Sequence, residues 1–224
     1  MDCVVFRARS GFARFRKPYT TTSALTFLCI HPVAIKGLVG AVMGIDKAEL
    51  HNLTSNMKIG VQVISYVRKD MQALKLLSMK SGDKFLNFPA NVEFLRNPEY
   101  RIFISWDGDK LDEFESRLIN QNPIFTPYFG TSENIAKLVY ETRDNAQLVD
   151  KTDRIDSIIP SKFIDLKYGD YQIFMDRIPV LNNEQREYVQ YEKIVFGFKE
   201  GKCCSLVGSV NNVYEINEKY VYFF

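Results

Sequence analysis

Basic and aromatic side chains alternate in one short segment near the start of the chain, at residues 10–22. Its three cations and three rings are Arg14, Arg16, Lys17, Phe12, Phe15 and Tyr19. Cations neutralise phosphates and flat rings stack on unpaired bases, and proteins bind single-stranded RNA by that combination. A strand edge with buried rings and solvated arginines explains the same pattern equally well. The segment is therefore a candidate RNA contact with a purely structural alternative.

A second candidate is a helix that we predict over residues 32–45, within an apolar stretch that begins at residue 24. Pro32 suits the first turn of a helix, where its missing N–H costs nothing. We place Lys36 and Gly37 near the start of this helix. Free N–H groups and partial positive charge at a helix start favour phosphate. This helix is therefore a candidate for contact with an RNA backbone.

The same helix carries two glycines that share one face, Gly40 and Gly44, because residues four apart lie one above the other. A face without side chains lets another backbone come close, either that of a sheet or that of a nucleic acid. Spacing alone favours packing on a sheet, since small-residue spacing is a weak functional signal.

Charge is distributed unevenly along the 224 residues. Residues 1–100 carry 14 Lys and Arg against 7 Asp and Glu, whereas residues 101–224 carry 15 against 20. The first part is therefore +7 and the second −5, although the whole chain is only +2. This asymmetry suggests that the first part faces a polyanion and that the second faces solvent or protein. An uneven but fully solvated surface explains the charges alone as well.

The cysteines and histidines argue against a metal centre. The chain has four cysteines without a Cys-x-x-Cys pair, and its only histidines are His31 and His51. The adjacent Cys203 and Cys204 would form a poor structural disulfide, so we expect four reduced thiols in a cytoplasmic protein. The N-terminal residues do not have the pattern of a signal peptide, and polar residues interrupt the apolar stretch after residue 24. We therefore expect no membrane insertion and no cofactor.

Six segments follow one another in the order strand, helix, strand, strand, helix, strand. Alternation and capping signals place them at residues 3–9, 32–45, 57–67, 101–106, 110–121 and 134–142. This order is the ferredoxin-like, or RNA-recognition, pattern of an α+β fold. We expect an antiparallel sheet with helices on one face and a second, open face of the kind that binds RNA.

A long insertion of about thirty residues separates the second and third predicted strands, which is too long for a plain hairpin loop. Five cations give it a basic character: Lys69, Lys75, Lys80, Lys84 and Arg96. A turn signal at residues 81–83 predicts a protruding hairpin or arm. Insertions of this length are more often functional than structural.

The last part of the chain turns acidic after residue 144 and then becomes rich in β-forming residues. We therefore predict two domains. The first is the ferredoxin-like domain over residues 1–145, with its insertion at about residues 68–96. The second is a small β-rich unit over residues 146–224.

The order and spacing of several short motifs resemble one protein family. The motifs are the Phe/Arg-rich strand at residues 3–16, Thr26-Phe27 with Pro32, Lys36-Gly37-Leu38 with Gly40 and Gly44, Glu93-Phe94-Leu95 with Asn97-Pro98 and Tyr100, and Thr126-Pro127-Tyr128-Phe129-Gly130 followed by Glu133. The chain resembles the CRISPR-associated protein 5 family, a branch of the RAMP (repeat-associated mysterious protein) superfamily found in type I Cascade complexes. The length and the basic insertion look most like subtype I-B.

The resemblance implies a specific role in antiviral defence. Family members bind the 5′ handle of the CRISPR RNA (crRNA), cap one end of the filament of backbone RAMP subunits and contact the large subunit. The insertion is a thumb that presses into the RNA, so it would lie here within residues 68–96. Together with the candidates above, this implies an RNA-binding set without catalytic residues or metal ligands: Arg14, Arg16, Lys17, His31, Lys36, Gly37, Gly40, Lys69, Lys75, Lys80, Lys84 and Arg96.

Two other functions stay open. One subtype of the family cleaves the repeat RNA as a metal-independent endoribonuclease, and such cleavage requires an acid, a base and a cation. The candidates here are His31, Tyr19, Tyr66, Lys36 and Lys69. The other function is a purely structural subunit whose acidic second part docks a neighbour. We predict the non-catalytic RNA-binding subunit.

Overall fold

The computed structural model describes residues 1–20, 24–77 and 87–224. Within these ranges the chain forms three α-helices, one short 3-10 helix and fifteen strands. The helices are α1 (Pro32–Met43), α2 (Leu50–Leu53), α3 (Gly108–Ile119) and the 3-10 helix at Ser161–Phe163. The strands are β1 (Asp2–Arg9), β2 (Phe12–Ala13), β3 (Lys58–Val63), β4 (Lys69–Leu77), β5 (Asn87–Arg96), β6 (Glu99–Ser105), β7 (Lys137–Asn145), β8 (Gln147–Ile155), β9 (Ile159–Pro160), β10 (Ile164–Leu166), β11 (Gln172–Asn182), β12 (Tyr188–Lys199), β13 (Lys202–Cys204), β14 (Leu206–Ile216) and β15 (Lys219–Val221).

Four strands form an antiparallel sheet in the order β3-β6-β1-β7. The central strand, β1, pairs with β6 on one side and with β7 on the other. Along the chain, this sheet and its two longer helices follow in the order β1, α1, β3, β6, α3, β7. Each of the six segments predicted from the sequence overlaps an element of the expected type, with ends that differ by a few residues.

The main core lies between this sheet and the helices α1 and α3. Phe6 of β1 and Phe114 of α3 are both fully buried, and their rings meet edge to face with centroids 5.5 Å apart. Ile35 and Val39 of α1 are buried in the same cluster. Apolar positions three and four apart therefore place both helices on one face of the sheet, as their periodicity predicts.

The second face of the sheet, which the sequence predicts to be open, is partly covered. Val5 and Phe103 are buried there with Val221 of β15. A Cβ on Gly60 of β3 would lie 2.4 Å from the side chain of Val221, so this glycine permits the close contact. The open face that the sequence predicts is therefore limited to part of the sheet, because the segment around Val221 packs onto the rest.

The uncovered part of that face carries a network of charged side chains. Arg101 donates from Nε to Glu141 Oε2 at 2.5 Å and from its Nη1 to Gln62 Oε1 at 2.8 Å. Arg7 Nε lies 2.7 Å from Glu141 Oε1 and its Nη1 lies 3.5 Å from Glu99. These cations are therefore already neutralised by carboxylates of the same sheet.

The insertion between β3 and β6 contains two long antiparallel strands. β4 and β5 pair from Lys69↔Leu95 to Leu77↔Asn87, and β5 also pairs with β2 near the start of the chain. The part of the insertion between these strands, residues 78–86, lies outside the described residues. The insertion therefore contains the paired strands that a hairpin requires.

The last part of the chain is built almost entirely of strands, as predicted. One sheet has the order β10-β14-β15 with β8 also paired to β14, and another has the order β11-β12-β13 with β9 paired to β12. Ile178, Ile194 and Phe198 of the second of these sheets belong to the same buried cluster as the first sheet. The two parts of the chain therefore share core packing, and the boundary at residue 145 stays a prediction.

Candidate nucleic-acid interface

His31 caps the start of α1 from a buried position. Its Nδ1 accepts a hydrogen bond from Ala34 N at 3.1 Å, and the side chain is only 2% exposed. The rings of Phe27 and Tyr188 meet it edge-on, with centroids 5.4 and 5.5 Å away. Burial lowers the pKa of His31 to about 3, because the charged imidazolium would lose its hydration. The structure therefore gives His31 a capping and packing role and leaves it no surface for RNA.

Lys36 lies inside α1 and not at its start. The helix begins at Pro32, so Lys36 is the fifth residue, and the amide of Ile35 before it already donates within the helix to His31 O at 3.1 Å. The prediction that Lys36 and Gly37 lie at the helix start is wrong, because the helix already begins at Pro32, one turn earlier. The Lys36 side chain is nevertheless notable, because it is 9% exposed and pairs with no carboxylate of the described residues. Burial lowers its pKa.

The three glycines of this region have different surroundings. A Cβ on Gly40 would lie 2.5 Å from Leu50 Cδ1, so Gly40 permits α2 to approach α1. Gly44 ends the helix in the left-handed conformation with φ of 70°, and its amide donates to Gly40 O. Gly37, in contrast, is exposed, and no described atom lies within 4 Å of the point that a Cβ would occupy there. The close approach predicted for Gly40 is therefore made by α2.

A cleft of about 560 Å³ lies beside α1. Its walls are α1, α2, the segment 125–130 and the segment 182–188, and we call it the α1 cleft. Lys36 and Gly37 line it together, and Arg186 and Lys47 add two further cations. Asp46 and Glu184 are the acidic groups in its lining. The cleft is therefore lined by three cations and two acids, and it brings together three of the predicted site residues, Lys36, Gly37 and Gly40.

Arg14 is a half-buried cation next to this cleft. Its amide donates to Phe129 O at 3.0 Å, and its Nε is sealed from solvent without a hydrogen-bond partner among the described atoms. Burial and the nearby charge of Arg16 both lower the pKa of Arg14. Arg16 itself is exposed and forms an isolated bridge to Thr26 through the backbone. These two guanidinium groups have no carboxylate partner in the described part of the chain.

The rings of the same segment divide into buried and exposed ones. Phe15 is 3% exposed and packs against Tyr100 and Phe129, with ring centroids 6.4 and 5.7 Å away. Phe12 meets Phe94 edge-on at 6.2 Å. Only Tyr19, 58% exposed, keeps a face for stacking. Phe12 and Phe15 therefore fit the structural alternative, in which the rings pack inside the protein. Of these three rings, Tyr19 remains the candidate for stacking on a base.

Two predicted RNA contacts are instead paired within the protein. Lys17 Nζ lies 2.7 Å from Asp176 Oδ1 and 5.3 Å from the centroid of Phe27. Lys69 Nζ lies 2.9 Å from Glu93 Oε1, which also accepts the amide of Thr26. The structure therefore uses both ammonium groups to connect segments of the fold.

The remaining predicted contacts belong to the β4–β5 insertion. Lys75 and Arg96 are exposed there, and no described carboxylate pairs with them. Lys80 and Lys84 lie outside the described residues. The structure thus places Lys75 and Arg96 on the three-stranded sheet of the insertion, and Lys36, Gly37 and Gly40 at the α1 cleft.

Sequence reasoning missed the residues that the second half of the chain contributes. Arg186 and Tyr188 line the α1 cleft, and Asp176 neutralises Lys17. None of the three has a local motif, and Asp176 and Tyr188 act through contacts with residues more than 140 positions earlier in the chain. Because the second half of the chain is acidic overall, its composition gave no indication that it contributes a cation to this cleft.

The four cysteines are free thiols, and burial raises the pKa of Cys3 to about 12 and that of Cys203 to about 11. In the described ranges, no three His, Cys, Asp or Glu side chains are grouped as a metal site requires. No helix in those ranges has the length and apolar character needed to cross a membrane.

The fold and these surfaces define a strand-rich α/β protein with unpaired cations beside a cleft. A sequence model of the family described as CRISPR-associated protein (Cas_Cas5) matches residues 3–189. Because the match covers most of the chain, the chain belongs to this CRISPR-associated family, and the predicted family is confirmed. A comparison with curated proteins found no match.

Two solved structures share the fold over most of the chain, and a third aligns over part of it. A crystal structure of a CRISPR protein from Archaeoglobus fulgidus aligns over 99% of this chain and 98% of that chain, with a TM-score of 0.62 and 12% identity. A structure described as a CRISPR RNA-guided surveillance complex contains a chain that aligns over 92% of this chain and 91% of that one, with a TM-score of 0.57 and 13% identity. A crystal structure of a Cas protein aligns over 59% of this chain and 58% of that one, with a TM-score of 0.42 and 16% identity. The chain thus spans just over half of that last protein.

Proposed function

We propose that this chain is a non-catalytic, RNA-binding subunit of a type I CRISPR effector complex. In that role it holds the 5′ handle of the crRNA, caps one end of the backbone-subunit filament and contacts the large subunit. Family membership supports the proposal, and so does the fold shared with a chain of a surveillance complex. A subtype I-B-like complex is the form that the length and the basic insertion suggest.

The architecture that we propose for this role is a ferredoxin-like domain with a thumb. The sheet order β3-β6-β1-β7 and the alternation of its strands with α1 and α3 are what that fold requires. The β4–β5 insertion is the proposed thumb. Its exposed Lys75 and Arg96 support a contact with RNA.

The observation that carries the RNA proposal is a contrast between paired and unpaired cations. Lys17 and Lys69 are each held by a carboxylate, whereas Arg14, Arg16 and Lys36 have none among the described residues. Arg14 is half-buried and Lys36 is mostly buried, whereas Arg16 is exposed, and for all three a bound phosphate would supply the missing counter-charge. The unpaired cations lie on α1 and on the segment that precedes it, where the resemblance places the handle.

The experiment is a binding titration of the full chain with a labelled 5′-handle RNA, followed by fluorescence anisotropy. Reversing one phosphate contact removes both the contact and its counterion release, so we expect Arg16→Glu to weaken binding by about tenfold or more at low salt. The matched control is Lys151→Glu, an exposed charge reversal on β8 in the other part of the fold. Equal affinities of the two variants, or no binding by the unaltered chain, would contradict the proposal.

The non-catalytic part of the proposal is supported by the state of His31. Its Nδ1 already accepts a hydrogen bond, and burial holds its pKa at about 3, so it is poorly placed to act as a general acid or base. Incubation of the pure chain with repeat RNA in EDTA tests this directly. A discrete cleavage product that disappears in His31→Ala would establish the endoribonuclease instead.

A further inference from the structure

One glycine of α1 has no structural explanation within the described chain. Gly37 lies in the interior of the helix, where glycine is less favourable than alanine because it loses more conformational freedom on folding. Its helical conformation is open to any residue, and no described atom lies within 4 Å of a Cβ at this position. Gly40, one turn later, is explained by its contact with Leu50. The open space above Gly37 is part of the α1 cleft.

The neighbouring Lys36 gives the same cleft a cation without an ion pair among the described residues. Its side chain is about nine-tenths buried, and its ammonium group forms no hydrogen bond or ion pair with the described residues. Among the described residues, Arg14 Nε is the buried side-chain nitrogen without a partner, so the Lys36 ammonium group keeps contact with solvent at the end of a buried stem. Lys36 lines the cleft, so a ligand there can provide the missing acceptor.

The segment 125–130, which also lines the cleft, supplies exposed rings. Phe125 and Tyr128 are 51% and 49% exposed, although large aromatic side chains usually bury most of their surface. The backbone under them is fixed, since the amide of Phe125 donates to Ala41 O at 2.9 Å. The cleft is therefore lined by two exposed rings, by Lys36 and by the guanidinium group of Arg186.

We propose that the α1 cleft holds one unstacked nucleotide of the bound RNA. The nucleotide's backbone passes over Gly37, its phosphate contacts Lys36, and its base lies against Tyr128 or Phe125. This inference rests on the proposed function, because it assigns a position to part of the RNA that the chain binds. The volume of about 560 Å³ lies within the range of pockets that enclose small ligands.

An abasic scan of the handle RNA tests the inference. Each nucleotide of the 5′ handle is replaced in turn by an abasic one, and the affinity for the full chain is measured by fluorescence anisotropy. Base–aromatic stacking predicts that one position loses about tenfold in affinity and that its neighbours lose much less. Tyr128→Ala and Phe125→Ala are then measured with the intact RNA and with each abasic RNA. At the critical position, at least one of these variants should weaken the intact RNA without weakening the abasic RNA further.

Variants of Gly37 test the path of the backbone. Gly37→Gln fills the open space without adding charge, so we expect about tenfold weaker binding, whereas Gly108→Gln should leave the affinity unchanged. Gly108 is the matched control because it begins α3, is exposed and also has no described atom near its Cβ position. Thermal unfolding of both variants, followed by circular dichroism, separates lost binding from lost folding.

The outcomes distinguish the inference from the function on which it rests. If the unaltered chain does not bind the handle RNA, the proposed function fails and this inference fails with it. If the chain binds but no abasic position couples to Tyr128 or Phe125, the nucleotide pocket is overturned and RNA binding stands. A single coupled position, together with an effect of Gly37→Gln that Gly108→Gln lacks, supports the pocket.

Discussion

Lys17 Nζ lies 2.7 Å from Asp176 Oδ1, although the two residues are separated by most of the chain. The Asp176 side chain is 7% exposed, and its other oxygen accepts the amide of Leu28 at 2.9 Å. One carboxylate of β11 therefore holds two parts of the segment that leads into α1. Because Arg14 and Arg16 belong to that segment, the pair also fixes the position of the candidate RNA contacts.

Removal of this carboxylate is expected to destabilise the chain. Asp176→Asn leaves the Lys17 ammonium group mostly buried without a counter-charge, so the free energy of unfolding should fall by about 3 kcal/mol. Urea unfolding measures the loss. The control is Asp170→Asn, because Asp170 is 93% exposed and lies 3.4 Å from Lys199 in a surface pair that should contribute little. Equal stabilities of the two variants would contradict a structural role for the Lys17–Asp176 pair.

Gly130 is expected to be essential for the position of Arg14. Its φ is +84°, and a Cβ there would lie against Arg14 O at 1.7 Å, a distance that no rotamer can relieve. Gly130→Ala should therefore cost more than the roughly 1–3 kcal/mol of an unfavourable backbone conformation alone. It should also weaken RNA binding, because the Arg14 backbone must move.

The control for Gly130 is Gly201→Ala. Gly201 has a similar φ of +74° but no described atom within 4 Å of its Cβ position, so it reports the conformational cost without the clash. Urea unfolding of both variants gives the difference. If Gly201→Ala were as destabilising as Gly130→Ala, the contact with Arg14 would be unimportant.

Local patterns in the sequence predict the elements of the fold well. The alternation in residues 3–9 and the Pro32 start of α1 both correspond to observed elements, because strand alternation and helix capping depend on neighbours in sequence. Local patterns could not predict that Val221 and its neighbours cover one face of the sheet. The contact of Gly60 with Val221 joins residues that no periodicity relates.

In the candidate site too, the local sequence predicts some features, whereas others depend on residues far away in the chain. The sequence identifies Lys36 and Arg14 as candidate RNA contacts, but it cannot tell whether a cation is free or paired. Lys17 has the same local surroundings as Arg16, and only the distant Asp176 distinguishes them. His31 likewise has the chemistry of a ligand or catalyst, and only its burial between Phe27 and Tyr188 assigns it to packing.

The buried state of His31 predicts a specific dependence of stability on pH. Its pKa is about 3 in the folded chain and near its usual value of about 6.5 in the unfolded chain. Between these values the unfolded state binds one more proton, so stability falls as the pH is lowered through 6.5 towards 3. Between pH 7 and pH 5, this group alone should remove about 2 kcal/mol from the free energy of unfolding.

His31→Asn isolates that contribution, because asparagine retains a helix-capping oxygen and does not titrate. The difference between the stabilities at pH 7 and pH 5 should be smaller by about 2 kcal/mol in the variant than in the unaltered chain. Urea unfolding at both pH values measures it. The control is His51→Asn, in which the difference in stability between pH 7 and pH 5 should persist because His31 is still present. If the difference in stability between pH 7 and pH 5 were the same in His31→Asn as in the unaltered chain, His31 would not stay neutral in the fold.

The salt dependence of RNA binding should distinguish unpaired cations from paired ones. Each phosphate contact with single-stranded RNA contributes about 0.7 to the slope of log affinity against log salt. Arg16→Gln should therefore reduce the slope by about that amount, because Arg16 is exposed and unpaired among the described residues. Lys69→Gln should leave the slope unchanged, since its ammonium group is held by Glu93 at 2.9 Å. Titrations at several salt concentrations give both slopes, and a reduced slope for Lys69→Gln with none for Arg16→Gln would reverse the assignment of the RNA-facing cations.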